Sequence, residues 1–453
     1  MSEEKPSEIN LGSDRSWFLY IGEIKTAGLN RLLVEPISRR YGKPAACIHI
    51  VPDVLAHYPE EAFLVVGPGS DRAGTGCPDR RNARISPHAF AAMVSGDETV
   101  KNLVKQILEV QGELLVNVFE TSSELSLAGD ERIKVIGPDP HIARSLNNKL
   151  HQYEVALEMG IPVPPGSICA GMDEALVHSE KIFSRGGRAF VSGAYSAGGS
   201  NSIVASTKDQ VRARFAQASG GLLVTAFIDH RYDPTVLGVV AGKDDVFIAS
   251  VADQNIQGTR FMGSTFPTVL GRDTVLQLKD ITRKVGSYMG SKGYRGIFGC
   301  DYIVDEQGKV FFIEVNARKQ GTTMETSLAM THNLPGKPTF PEIELIAVLE
   351  GRLPDGLEEM NNMNGPLCWG TYNYKAVDDC LVRNYVPPSM NEEKLFDQAM
   401  TGRGGHIVLD HVGPNTSITA GGFIARIIAA GPTPEDVRKG LEEGERRVKV
   451  SLR

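Results

Sequence analysis

One stretch constrains this chain more than any other: Gly299-Cys-Asp-Tyr-Ile-Val-Asp-Glu-Gln-Gly-Lys-Val-Phe-Phe-Ile-Glu-Val-Asn-Ala-Arg318. Two β-rich runs flank Glu306-Gln307-Gly308-Lys309, which reads as a four-residue hairpin loop. Pairing Val310 with Asp305 then sets Asp301 directly opposite Glu314, and alternation puts Asn316 on the same face. Opposed side chains have Cβ atoms ~5 Å apart. Two like charges there repel by ~3–4 kcal/mol at an effective dielectric of about 20. Ile303, Phe311, Phe312 and Ile313 lower solvent access, so one carboxyl stays protonated or a cation lies between the two. Asp301, Glu314 and Asn316 together offer three oxygen donors suited to a hard cation such as Mg²⁺. The same residues also fit a structural ion cluster neutralised by Arg318, and spacing alone leaves both readings open.

A second stretch, Phe190-Val-Ser-Gly-Ala-Tyr-Ser-Ala-Gly-Gly-Ser-Asn-Ser-Ile-Val204, sets two apolar runs around a loop of small residues. Backbone N–H groups in such a loop can close on phosphate oxygens, and Ser196, Ser200 and Ser202 can add hydroxyl donors. A plain hairpin turn has the same composition. Leu222–Ile228 is an apolar strand-like run that can line a flat base pocket or fill a core. Val236–Ala241 and Val246–Val251 read as a further hairpin, and Arg260 in the polar stretch after it is a candidate for holding a carboxylate. His406, Asp410 and His411 flank an apolar strand, a pattern open to ligation but commoner for structural histidines. Neither Gly67-Pro68-Gly69 nor Gly286–Lys292 completes a phosphate-binding motif.

Apolar runs at Trp17–Ile21, Ala45–Val51, Ala62–Val66, Leu114–Phe119 and Ile133–Ile136 alternate with helical spacing such as Leu29–Tyr41. That alternation predicts an α/β domain with a parallel sheet over 15–135. Asp139 can cap, and Pro140 can start, a helix whose apolar positions run through Ile142, Leu146, Leu150, Tyr153 and Leu157 to a stop at Gly160. Two helix-and-strand lobes, α+β in character, follow over 136–350. After a linker at 361–366, residues 365–453 read as a small mixed C-terminal domain, ending in a charged surface helix behind Thr433 and Pro434. With 48 basic against 55 acidic residues, a net charge of −7 and no basic block, the chain is expected to bind neither nucleic acid nor an anionic membrane. The opening MSEEKPSEIN lacks the features of a signal peptide, and no stretch approaches roughly 18 uncharged apolar residues. Six scattered cysteines without C-x-x-C suggest reduced thiols in a cytoplasm.

In their order along the chain, these signals resemble the ATP-grasp superfamily of carboxylate–amine ligases over roughly 136–350. The resemblance rests on Asn148-Lys149 ahead of Gly160-Ile-Pro-Val-Pro164, the Ser196–Asn201 loop, the Leu222–Ile228 strand, and Gly299-Cys-Asp301 with Ile313–Arg318. The flanking segments look like a pre-ATP-grasp domain and a C-terminal cap, an arrangement most similar to peptide ligases of the pheganomycin-biosynthesis type. The resemblance implies ATP and Mg²⁺. Lys149 would contact phosphates, and the loop of Ser196, Ala197, Gly198, Gly199, Ser200 and Asn201 would cover them. Thr225, Ala226, Phe227 and Ile228 would line the adenine, with Asp233 a candidate for the ribose. Asp301, Glu314 and Asn316 would hold Mg²⁺, and Arg318 would stabilise the transferring phosphoryl group.

Two positions depart from the pattern. Ser192-Gly193 stands where the superfamily usually has Lys-Pro, and losing a phosphate-binding charge there could cost ~10²–10³ in rate; Arg188, four residues earlier, is a candidate substitute. Gly299 stands where some of these ligases place an Arg, leaving Arg318 or Arg260 to act in its stead. The implied reaction joins a small-molecule carboxylate, through an acyl phosphate, to the amine of an amino acid or peptide, with a homodimer as a family expectation. The amine pocket would lie between the first domain, the glycine-rich lid and residues 367–453. A carboxylase-like enzyme using bicarbonate, and an ATP-binding scaffold with decayed activity, are the alternatives.

Overall fold

A computed structural model describes residues 11–12, 14–52, 62–67, 85–195, 201–218, 220–360 and 367–452. The apolar runs near the N-terminus form β1 (Ser16–Ile21), β2 (Ala45–Val51), β3 (Ala62–Val65), β4 (Leu114–Val118) and β5 (Ile133–Ile136). They pair in parallel in the order β3-β2-β1-β4-β5. Helices cover both faces of such a sheet, which is why its strands are mostly apolar rather than strictly alternating. β1 and β4 are buried along their whole length.

The expected single helix from Pro140 to Gly160 is two, Pro140–Leu146 and Lys149–Glu158. The break has a local cause. Asn148 Oδ1 accepts the backbone N–H groups of Leu150 (3.0 Å) and His151 (3.4 Å), so its side chain caps a new helix instead of continuing the old one. Lys149 is thereby held at a helix start, its backbone N–H donating to the Ala194 carbonyl at 2.8 Å.

The next lobe is a four-stranded antiparallel sheet, β6 (Gly166–Cys169), β7 (Ala189–Gly193), β8 (Ser202–Ala205) and β9 (Leu222–Ala226), in the order β6-β9-β7-β8. β7 and β8 carry the glycine-rich loop between them. The second lobe is built on β10 (His230–Tyr232), β11 (Pro234–Val240), β12 (Val246–Gln257), β13 (Arg260–Phe266), β14 (Gly296–Asp305) and β15 (Val310–Asn316).

The C-terminal segment supplies β16 (Cys368–Lys375), β17 (Cys380–Val382), β18 (Gly405–Leu409), β19 (Thr416–Ile418) and β20 (Phe423–Gly431). Three of these extend the lobe's own sheet, β16 pairing with β13, and β20 and β18 following, so that one nine-stranded sheet runs through both segments. The final helix, Pro434–Ser451, is charged outward but seats Val437 and Val448 on this sheet. The fold is mixed α/β, one parallel sheet beside antiparallel ones. Among the described residues five cysteines are free thiols, and no helix is long and apolar enough to cross a membrane.

Candidate active site

The β14–β15 hairpin pairs Asp301 with Glu314 and Gly299 with Asn316. Its turn end differs from the expectation: Val310 lies opposite Val304, not Asp305. Gly308 takes φ +81°, and Asp305 Oδ1 accepts the N–H groups of Gln307 (3.0 Å) and Lys309 (2.8 Å). This gives a three-residue loop closed by a left-handed glycine. A bulge between Asp301 and Tyr302 absorbs the odd residue and restores the carboxylate pairing.

Asp301 is held from several sides. Its Oδ1 accepts Thr235 Oγ1 and Gln254 Nε2, each at 2.7 Å, and its Oδ2 accepts Asn316 Nδ2 at 2.9 Å. Burial, and then the facing Glu314 charge, push its carboxyl up to about 7. Glu314 is ion-paired to Lys149, both side chains being mostly buried. The cluster reading placed Arg318 on the acid pair. Arg318 instead donates to Asn316 Oδ1 at 3.1 Å and lies 3.6 Å from Glu120. Among the described residues no three Asp, Glu, His or Cys side chains gather as a metal cluster. The donor set is therefore two carboxylates and one amide, and it fits a partly hydrated magnesium ion. A carboxyl raised first by burial and then by a facing acid is what a cation would relieve, and such an ion keeps waters and shares its shell with phosphate.

These residues form one wall of a cavity of about 290 Å³. Thr225, Ala226, Phe227 and Ile228 line it, as do Asp233, Ser202 and Lys149. His230, absent from the sequence reading, also lines it; its Nε2 lies 2.9 Å from Asp233 Oδ1, and that hydrogen bond raises its pKa. Thr235, Gln254 and Gln320 were likewise missed as site residues. Gln254 lies in the same polar stretch as Arg260, and no local pattern marks the other two.

Several expected residues sit elsewhere. Ser196, Ala197, Gly198, Gly199 and Ser200 lie outside the described residues; Asn201, beside them, donates from Nδ2 to the Tyr195 carbonyl at 3.2 Å. Arg188 pairs with Asp229, its guanidinium 4.4 Å from the centre of the Phe227 ring, and does not line the cavity. Ser192 is fully buried, its Oγ without a partner among the described residues. Arg260 packs beside Gly421, also outside the lining. Gly299 has a reason in packing: a Cβ there would fall 2.3 Å from the Gln320 side chain. His411 hydrogen-bonds to the Val412 carbonyl (2.6 Å) and Ser451 Oγ (2.9 Å), a structural pairing, while His406 faces the final helix.

Residues 146–322 match the ATP-grasp domain family. This part of the chain is an ATP-grasp domain. The ATP-grasp core thus takes in Lys149, the glycine-rich loop, β9 and the carboxylate hairpin. Among curated proteins, the chain is 27% identical over 124 residues to an L-propargylglycine–L-glutamate ligase of Streptantibioticus cattleyicolor, covering 27% of this chain and 25% of that protein. It is 25% identical over 193 residues to a [butirosin acyl-carrier protein]–L-glutamate ligase of Niallia circulans, covering 41% of this chain and 46% of that one. It therefore spans under half the length of either ligase. The whole architecture is similar to a biotin carboxylase from Campylobacter jejuni, with a TM-score of 0.64 at 16% identity over 94% of this chain and 91% of that one. At that identity the likeness shows the fold alone.

Proposed function

We propose that the chain is an ATP-dependent ligase that activates a carboxylate as its acyl phosphate and joins it to an amine, releasing ADP and phosphate. The observation that carries this reading is the Asp301–Glu314 pair, with Asn316 and Arg318 beside it, on the wall of a cavity whose other lining is the flat apolar strand end Thr225–Ile228. The two ligases that it resembles are both named for joining L-glutamate, which favours an amino acid among the substrates.

Asp301, Glu314 and Asn316 would hold magnesium, which when bound offsets charge on the phosphate oxygens. The chain's own residues do the rest. Lys149 is free to turn from Glu314 to a phosphate once a cation takes over the acid. Arg318, fixed by Asn316 and by its donation to the Lys319 carbonyl at 2.9 Å, meets the charge on the transferring phosphoryl group. A substrate carboxylate oxygen forms a bond to the γ-phosphorus as the bond to the β-phosphate oxygen breaks. Amine nitrogen then bonds to the acyl carbon as phosphate departs. Water must be excluded meanwhile, a task suited to the loop between β7 and β8.

Purified protein should release ADP only when an acid and an amine are both present, and Glu314→Gln should stop turnover while leaving the melting temperature near that of the parent. AMP release, or full activity in that variant, would refute the reading. One observation favours a second reading, an ATP-binding scaffold without turnover: a buried Ser192 stands at the usual lysine position, and Arg188 is engaged by Asp229. ATP binding with no ADP release across many acid–amine pairs would support it. ADP release stimulated by bicarbonate, with no amide product, would instead mark a carboxylase-like enzyme.

A further inference from the structure

Lys149, Glu314, Asn316 and Arg318 line not one cavity but two. They form a wall, with the nucleotide cavity on one side and a second space of about 450 Å³ on the other. This second space contains Glu120 and Thr121, two and three residues beyond the end of β4, and Arg144 on the helix Pro140–Leu146. It sits where β1 and β4 lie side by side and the strand order runs outward both ways. Ligands of open parallel sheets collect at the carboxyl ends of strands at such a place. Tyr195, at the start of the glycine-rich loop, also lines it. Among the described residues none of the C-terminal segment lines it, so this cavity is a different placement from the one expected for an amine pocket.

Charge in this cavity is sorted. Lys149 is taken by Glu314, and Glu120 stands 3.6 Å from Arg318 at the shared wall. Among the described residues Arg144 makes no ion pair; its guanidinium lies 5.7 Å from the centre of the Tyr195 ring. Thr121 is 7% exposed, and its Oγ1 has no hydrogen-bond partner among the described residues. A buried hydroxyl without a partner destabilises the fold unless something binds it. The cavity thus holds an acid beside the shared wall, an arginine in no ion pair among the described residues, and a buried hydroxyl without a partner among them.

We infer that the amine substrate is a free amino acid bound in this second cavity, its ammonium on Glu120 and its carboxylate on Arg144. The inference rests on the ligase reading above. A polyamine would meet the Arg144 cation, and an acid without an ammonium would face Glu120. In the reaction the ammonium gives one proton to the Glu120 carboxylate. The neutral nitrogen forms the C–N bond to the acyl carbon, and the bond from that carbon to the phosphate oxygen breaks. The second nitrogen proton leaves on the phosphate.

The test is calorimetric binding of each of the twenty proteinogenic amino acids, to the full chain held with ADP and Mg²⁺. At least one should bind with a Kd below about 10 mM, and its N-acetyl and carboxamide derivatives should bind about 10-fold or more weakly, the loss of one charge-assisted contact. Arg144→Gln should weaken the free acid about 10-fold but its carboxamide less than about 3-fold. Glu120→Gln should do the same for the free amine against the N-acetyl form. Two results would overturn the inference: no amino acid binding at about 10 mM while the nucleotide binds, or equal losses for charged and capped ligands. Failure of the nucleotide itself to bind would instead sink the ligase reading.

Discussion

Lys319 and Glu344 form an ion pair at 2.6 Å with side chains 3% and 1% exposed. Lys319 Nζ also donates to the Val118 carbonyl at 2.9 Å, at the end of β4. The pair thus ties the segment after β15 to the parallel sheet, one residue from Arg318. Burial raises the Glu344 carboxyl, with Lys319 opposing the shift, so removing the lysine alone leaves an acid in an apolar setting. Breaking one half of such a pair costs about 3–5 kcal/mol. At ~2.1 cal/mol/K per residue over 453 residues, the unfolding entropy is ~1 kcal/mol/K, so Lys319→Met should lower Tm by about 3–5 °C. The double variant Lys319→Met with Glu344→Leu removes both charges. It should return to within about 2 °C of the parent, the remaining loss coming from the Ile297 N–H that Glu344 Oε1 accepts at 3.3 Å and from the Val118 carbonyl that Lys319 serves. Scanning calorimetry of the four proteins completes the cycle. Additive losses in the double variant, or a single lysine variant as stable as the parent, would refute the claim that this pair is electrostatically interdependent.

Asp301 raised to about 7 means that Mg²⁺ arriving at pH 6.5 displaces about 0.8 proton and at pH 8 about 0.1; calorimetry of Mg²⁺-ATP binding in buffers of different ionisation enthalpy should show that difference in the parent and lose it in Asp301→Asn. The folded, metal-free protein binds this extra proton, so the shift makes it lose stability as pH rises from the ordinary carboxylate range toward 7, and a denaturation midpoint that climbs more steeply in the parent than in Asp301→Asn would contradict it. Lys149→Met, which leaves Glu314 facing Asp301 without its cation, should weaken ATP by about 10–100-fold and adenosine by much less, measured by equilibrium dialysis. Gly299→Ala displaces the Gln320 side chain that a new Cβ would meet at 2.3 Å, and should cut turnover while leaving adenosine binding intact; unchanged turnover would show that Gln320 is not needed there.

What was legible along the chain was whatever is encoded within about twenty residues. The five strands of the parallel sheet are short, mostly apolar runs, and they form close to the positions read for them. Asp301 and Glu314 meet because a short hairpin leaves few registers that keep Phe312 and Val315 inside. Even so, the turn was read one residue too long, since two compensating features, a left-handed Gly308 and a bulge, are silent in the hydrophobic pattern. The helix expected through Asn147-Asn148 failed for a related reason: an asparagine that can cap was outvoted by apolar periodicity.

Besides Asn316 on the hairpin itself, the donors on Asp301 come from three separate places: Thr235 on β11, Gln254 on β12, and Gln320 beyond β15. Only strand pairing across the sheet brings them together, and nothing near any of them in sequence records it. The same holds for Glu120, which gains meaning only because β4 ends beside the hairpin wall. A local reading therefore finds the groups that would meet the phosphates, which sit on one hairpin and one loop. It misses the groups that would choose the amine, which are assembled between sheets. The division follows from the chemistry: triphosphate and metal need a compact set of charges that one supersecondary unit can carry. An amino acid must be held at both ends, so its contacts must come from elements that only tertiary packing places on opposite sides of a cavity.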